Sequence, residues 1–157
     1  MGDHSLGIDQ RPAFLKHVKL REMSGSNAKA IWRNIAVSGL VLTLIGMGAI
    51  GLSVAHSSRW NILFLDHHLW AAVMLATLIG VATLSVGLIG WAVLLGKLGR
   101  ENLTIFAGCF PFCVMLIGMF LGRRDPHGTY MLFFIPMFPL FVVALILGMM
   151  STFARRT

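Results

Sequence analysis

Every Lys, Arg, Asp and Glu of this 157-residue chain lies outside four apolar runs, residues 35–55, 69–95, 103–121 and 131–150. A helix needs about 20 apolar residues to cross a hydrocarbon core roughly 30 Å thick, and each run reaches or nearly reaches that length. A bilayer core holds no water to bond exposed amides, so an apolar segment of this kind closes its own hydrogen bonds as a helix. The pattern predicts an all-α integral membrane protein, an up-down four-helix bundle of four transmembrane helices. Residues 1–33 read as a basic, partly amphipathic N-terminal arm on the inner surface, and residues 34–157 as the transmembrane domain.

Composition supports this class. The chain is 57% hydrophobic and 12% charged, which is more apolar surface than one soluble core of this size can cover. The net charge of +7 raises the question of nucleic acid, but the cations gather at span ends and in the arm. No basic face remains to follow a phosphate backbone, so nucleic acid is not an expected partner.

The same cations predict orientation. With the N-terminus inside, only Arg59, Arg123 and Arg124 of the thirteen Lys and Arg fall outside, which argues for both termini on the cytoplasmic or equivalent organellar side. Trp32 and Trp91 then sit near the inner interface, and Trp60, Trp70 and Tyr130 near the outer one, where aromatic belts form. A long polar arm followed by a full-length span does not match a cleaved secretory signal, so the first span reads as a retained anchor.

Within the arm, Pro12 opens a helical pattern in which Phe14, Leu15 and Val18 recur beside Lys16, Lys19 and Arg21. This spacing predicts a short amphipathic helix whose Lys16, Lys19 and Arg21 meet anionic lipid head groups, at roughly 1 kcal/mol per close charge. Ser24-Gly25-Ser26-Asn27 is expected to break that helix and cap the next one. The loops between spans are short, so sequential helices are expected to pack as antiparallel neighbours.

Small residues mark the expected helix contacts. Ala72, Ala76, Gly80, Thr83 and Gly87 recur along the second span, Gly39, Thr43, Gly46 and Ser53 along the first, and Gly118 and Gly122 close the third. Such stripes let helix backbones approach where lipid removes the hydrophobic drive between helices, and they predict that spans one and two form the tight pair. The second half is bulkier, rich in Phe and Met, and its default neighbour is lipid. Pro111, Pro136 and Pro139 predict kinks.

Two clusters carry possible chemistry. Cys109 and Cys113 stand four residues apart about Pro111. Membrane thiol oxidoreductases use a two-residue spacer near an oxidising surface, so these thiols are expected to be inert, buried packing residues. On the outer side His56, His67, His68 and His127 gather with Asp66 and Asp125, and imidazole with carboxylate suits a transition metal or a haem. None of their spacings is a known ligand motif, and adjacent His67 and His68 diverge on a helix.

No embedded ionisable residue interrupts the four runs, as a coupled transporter would need. Phosphate loops, nucleophile elbows and zinc-protease motifs are missing as well. The first functional expectation is a non-catalytic small membrane subunit that assembles or stabilises a larger, energy-converting or similar complex, with lipids and other membrane subunits as partners and no cofactor. The alternative is a haem- or metal-binding redox subunit using the outer histidines. A third reading, a small oligomeric transporter, requires a polar cavity that these spans give no means to line.

Overall fold

The structure, a computed structural model, describes residues 11–60, 67–124 and 131–153, with side chains described for 25–54, 69–123, 131 and 133–153. Helix α1 covers Arg11–Trp60, α2 His67–Leu94, α3 Lys97–Leu121, α4 Met131–Phe134 and α5 Phe138–Phe153. Short 3-10 turns follow α3 at Gly122–Arg124 and join α4 to α5 at Ile135–Met137. No strand occurs among the described residues. Four helices are long and apolar enough to cross a membrane, Gly25–Val54, Leu69–Leu94, Lys97–Leu121 and Ile135–Phe153. The protein is an all-α four-helix bundle of the multi-pass membrane type.

The helices pack as two antiparallel pairs, α1 with α2 and α3 with α5, joined mainly where α2 meets α5. Val81, Leu84 and Leu88 of α2 and Leu140, Val143 and Leu147 of α5 are buried in the shared core, with Met137 wholly enclosed between them. Large apolar side chains elsewhere point outward, Leu52 at 76% exposure and Phe120 at 77%. In water that surface would drive aggregation; in a bilayer it is the surface that lipid tails wet.

Three local features differ from the sequence expectation. First, α1 runs unbroken for 50 residues through Ser24-Gly25-Ser26-Asn27. Each of these residues costs at most about 1 kcal/mol of helix propensity relative to Ala. Gly25, Ser26 and Asn27 are exposed, so no packing contact pulls them toward a turn. Second, the fourth span does not begin as one helix at Met131. Pro136 lacks an amide hydrogen, and the chain tightens into the Ile135–Met137 3-10 turn before α5 resumes. Pro111 lies inside α3 without ending it. Third, Cys109 and Cys113 are exposed rather than buried. Four residues apart, they share a helix face, and that face points away from α5 while Ala107, Pro111, Val114 and Gly118 point in.

The α2–α3 connection is tied down by Arg100. Its guanidinium Nε donates a 2.8 Å hydrogen bond to the Ala92 carbonyl, one of the last four carbonyls of α2 that have no partner within the helix. Leu95 N–H takes the Trp91 carbonyl at 3.1 Å. A cation at a helix C-terminus also meets the negative end of the helix dipole. Arg100→Ala is expected to lower stability by about 1 kcal/mol, read from denaturant titration in detergent, with Arg100→Lys losing less. Equal stability of Arg100→Ala and the parent would remove this bond from the account.

Candidate functional site

The most constrained part of the molecule is the α1–α2 seam. Ala36, Gly39, Thr43 and Gly46 ascend α1 in steps of three, four and three residues, and Gly87, Leu84, Gly80 and Thr77 descend α2 in the same steps. Alternating steps of three and four keep one seam in register along an antiparallel pair. A Cβ on Gly39 would meet the Leu84 backbone nitrogen, with the Leu84 Cα at 2.7 Å and the Gly80 carbonyl oxygen at 2.9 Å. A Cβ on Gly80 would lie 2.8 Å from the Thr43 nitrogen, and one on Gly87 2.5 Å from the Ala36 nitrogen. Gly46 faces the Thr77 side chain, and Gly90 lies under the Trp32 ring. Backbone therefore touches backbone, the contact that small residues permit in membranes.

Of the α2 residues read from the sequence, Gly80 and Gly87 lie on this seam. Ala72 is exposed, Ala76 is half-buried, and Thr83, also half-buried, spends its hydroxyl on the Ile79 carbonyl. The contact face is centred on Thr77, Gly80, Leu84 and Gly87, turned by about 60° from the small-residue stripe at 100° per residue. Gly39, Thr43, Gly46 and Ser53 of α1 are all buried. The missed residues were Ala36, Thr77, Leu84 and Gly90. Their signal was the matching of three-four-three spacings read in opposite directions on the two spans.

Hydroxyls inside the bundle are occupied locally. Thr43 donates to the Gly39 carbonyl and Thr77 to the Val73 carbonyl, each at 2.7 Å, and Ser85 donates to the Val81 carbonyl at 2.7 Å. Each bond goes back one turn in the same helix, so these donors are committed to backbone rather than aimed at a ligand. Among the described residues, the Trp70 indole nitrogen is buried without a hydrogen-bond partner.

Gly118 and Gly122 of the third-span pair are both buried, but Gly118 seats a ring rather than a helix. A Cβ there would fall 2.7 Å from the Phe133 Cγ, and Phe133 is itself buried. Gly122 ends α3, its N–H turned back to the Gly118 carbonyl. The α3–α5 seam is looser: a Cβ on Gly108 would sit 3.9 Å from the Ala144 Cβ, and one on Gly148 3.8 Å from the Thr104 Cγ2.

No protein family, curated protein or solved structure matches this chain. Its candidate sites therefore stand on geometry alone. Among the described residues no three His, Cys, Asp or Glu side chains gather as a metal site. The histidine candidates fall elsewhere: His127 lies outside the described residues, and the side chains of His56 in α1 and of His67 and His68 in α2 lie outside them too. Lys16, Lys19 and Arg21 stand on α1, again with side chains outside the described set.

Between α1 and α3 the bundle opens. An apolar groove of about 440 Å³ lies there, lined by Met47, Gly48 and Leu52 of α1, Val114 and Leu121 of α3, and Phe133 of α4.

Proposed function

We propose that this chain is a non-catalytic membrane subunit that assembles or stabilises a larger multi-subunit membrane complex, of an energy-converting or similar kind. The observation that carries the reading is α1. Its 50 residues extend about 75 Å, more than twice the hydrocarbon thickness. Backbone-close packing against α2 occupies the stretch from Trp32 to Gly46, and the helix continues N-terminally well past it. An isolated helix is marginal in water, and a continuous one with Phe14, Leu15 and Val18 on it calls for a surface to lie against. A neighbouring subunit supplies that surface, and anionic head groups at Lys16, Lys19 and Arg21 add to the anchoring. The skew of ten cations against three supports a topology with both termini on the cytoplasmic or equivalent organellar side.

The reading is tested by extracting the tagged protein from its native membrane in mild detergent and weighing the intact species, with an absorption and metal scan of the same peak. A stoichiometric assembly far heavier than one chain is expected, and deletion of residues 1–24 is expected to reduce its recovery at least tenfold while the four spans still insert. A small homogeneous species carrying haem or about one metal per chain would overturn the proposal and give His56, His67, His68 and His127 the role of ligands.

A further inference from the structure

The bundle is packed along three of its seams and open along the fourth. α1 lies along α2, and α5 joins α2 to α3, whereas α1 and α3 touch sparsely. The groove of about 440 Å³ on this open seam follows α1 from Leu44 to Leu52. Its lining includes Gly48, where nothing lies within 4 Å of the position a Cβ would take. Leu121 of α3 lines the end of the groove nearest the 3-10 turn Gly122–Arg124, and Arg123 is exposed on that turn.

The lining and the charge beside it select the occupant. Every lining residue is apolar, and α1 and α3 on either side of the groove are long and apolar enough to cross a membrane, where hydrocarbon chains are the surrounding solvent. The 3-10 turn Gly122–Arg124 touches α1, so the exposed Arg123 puts a cation close to one end of an apolar slot, the polarity pattern of an anionic phospholipid. We propose that the groove seats one acyl chain of an anionic phospholipid whose phosphate is held by Arg123. The site is separate from the N-terminal cations, on the opposite end of the bundle, and does not depend on the assembly reading. The arginine fork bonds phosphate oxygens in pairs, while a zwitterionic head group offers the same phosphate with its charge offset.

The test uses the full chain in mild detergent, titrated with dioleoyl phosphatidylglycerol or dioleoyl phosphatidylcholine, with bound lipids counted by native mass spectrometry. One retained phosphatidylglycerol per chain is expected, favoured over phosphatidylcholine by about fivefold, the factor corresponding to one cation at the membrane surface. Gly48→Leu fills the groove from a position with free space around it and is expected to weaken both lipids at least tenfold. Ala71→Leu, which adds three carbons where Gly48→Leu adds four, at an exposed position of α2, is expected to change neither and controls for folding. Arg123→Gln should erase the head-group preference and leave the chain bound. Lipid retention unchanged in Gly48→Leu would overturn the groove, and a preference that survives Arg123→Gln would overturn the phosphate contact. A dimer that Gly48→Leu alone dissociates, with lipid binding unaffected, would assign the groove to a second copy of the chain and sink the lipid proposal.

Discussion

Gly39→Leu is expected to cost about 3 kcal/mol, at the upper end of overpacking effects, and to part α1 from α2. A first added carbon already overlaps the Leu84 backbone, with its Cα at 2.7 Å and the Gly80 carbonyl at 2.9 Å. Backbone cannot rotate aside as a side-chain tip does, so one helix must translate. That shift would also lift Thr43 off Gly80 and Ala36 off Gly87, because the three contacts share one register. Two controls isolate the cause. Gly48→Ala meets open space and Gly108→Ala meets only the Ala144 Cβ at 3.9 Å, so each should be neutral or gain up to about 1 kcal/mol from helix propensity. Unfolding by dodecyl sulfate, followed by circular dichroism in mixed micelles, reads all three. Equal stability of Gly39→Leu and Gly48→Ala would show that the seam is not the close contact described.

Gly118→Leu is the second large effect, and it carries its own rescue. The Phe133 ring occupies the space a side chain on Gly118 would need, with Cγ at 2.7 Å and Cβ at 2.8 Å. The substitution should cost about 2–3 kcal/mol by expelling a buried ring. Phe133→Ala should be destabilising by itself, because the residues around the buried ring lose its contacts and line a void. In the double variant the leucine fills the place the ring vacated, so the combined loss should fall short of the sum by about 2 kcal/mol. The same titration measures this cycle. Strict additivity would mean that the two residues do not compete for one space.

The contrast between these two glycines explains what could be read in advance. Gly39, Thr43 and Gly46 announce a close approach because three small residues on one face of a span have little other use in lipid. Gly118 and Gly122 carry the same spacing, yet Gly118 receives an aromatic ring from α4 and Gly122 closes the helix. Spacing encodes a concavity; what fills it depends on the neighbour. The rotated face of α2 has the same origin. Its small residues spread over more than one face, and the face that α1 meets is the one presenting Thr77 and Leu84 in register with Gly46 and Gly39. The cysteines were misplaced because an apolar helix that is uniformly hydrophobic gives no sign of which side meets protein and which meets lipid.

What the residues by themselves determined is the class: four charge-free runs of sufficient length, short connections and a bilayer that offers no other backbone solution impose four helices. They also determined that α1 carries small residues on one face, which follows from spacing alone. Only the tertiary structure decided that α1 passes through Ser24-Gly25-Ser26-Asn27 without a break, that Phe133 sits on Gly118, and that the seam between α1 and α3 stays open as a groove. The last two outcomes depend on which faces meet, and between helices that are apolar all round that choice is made by shape complementarity, to which hydrophobic patterning is blind.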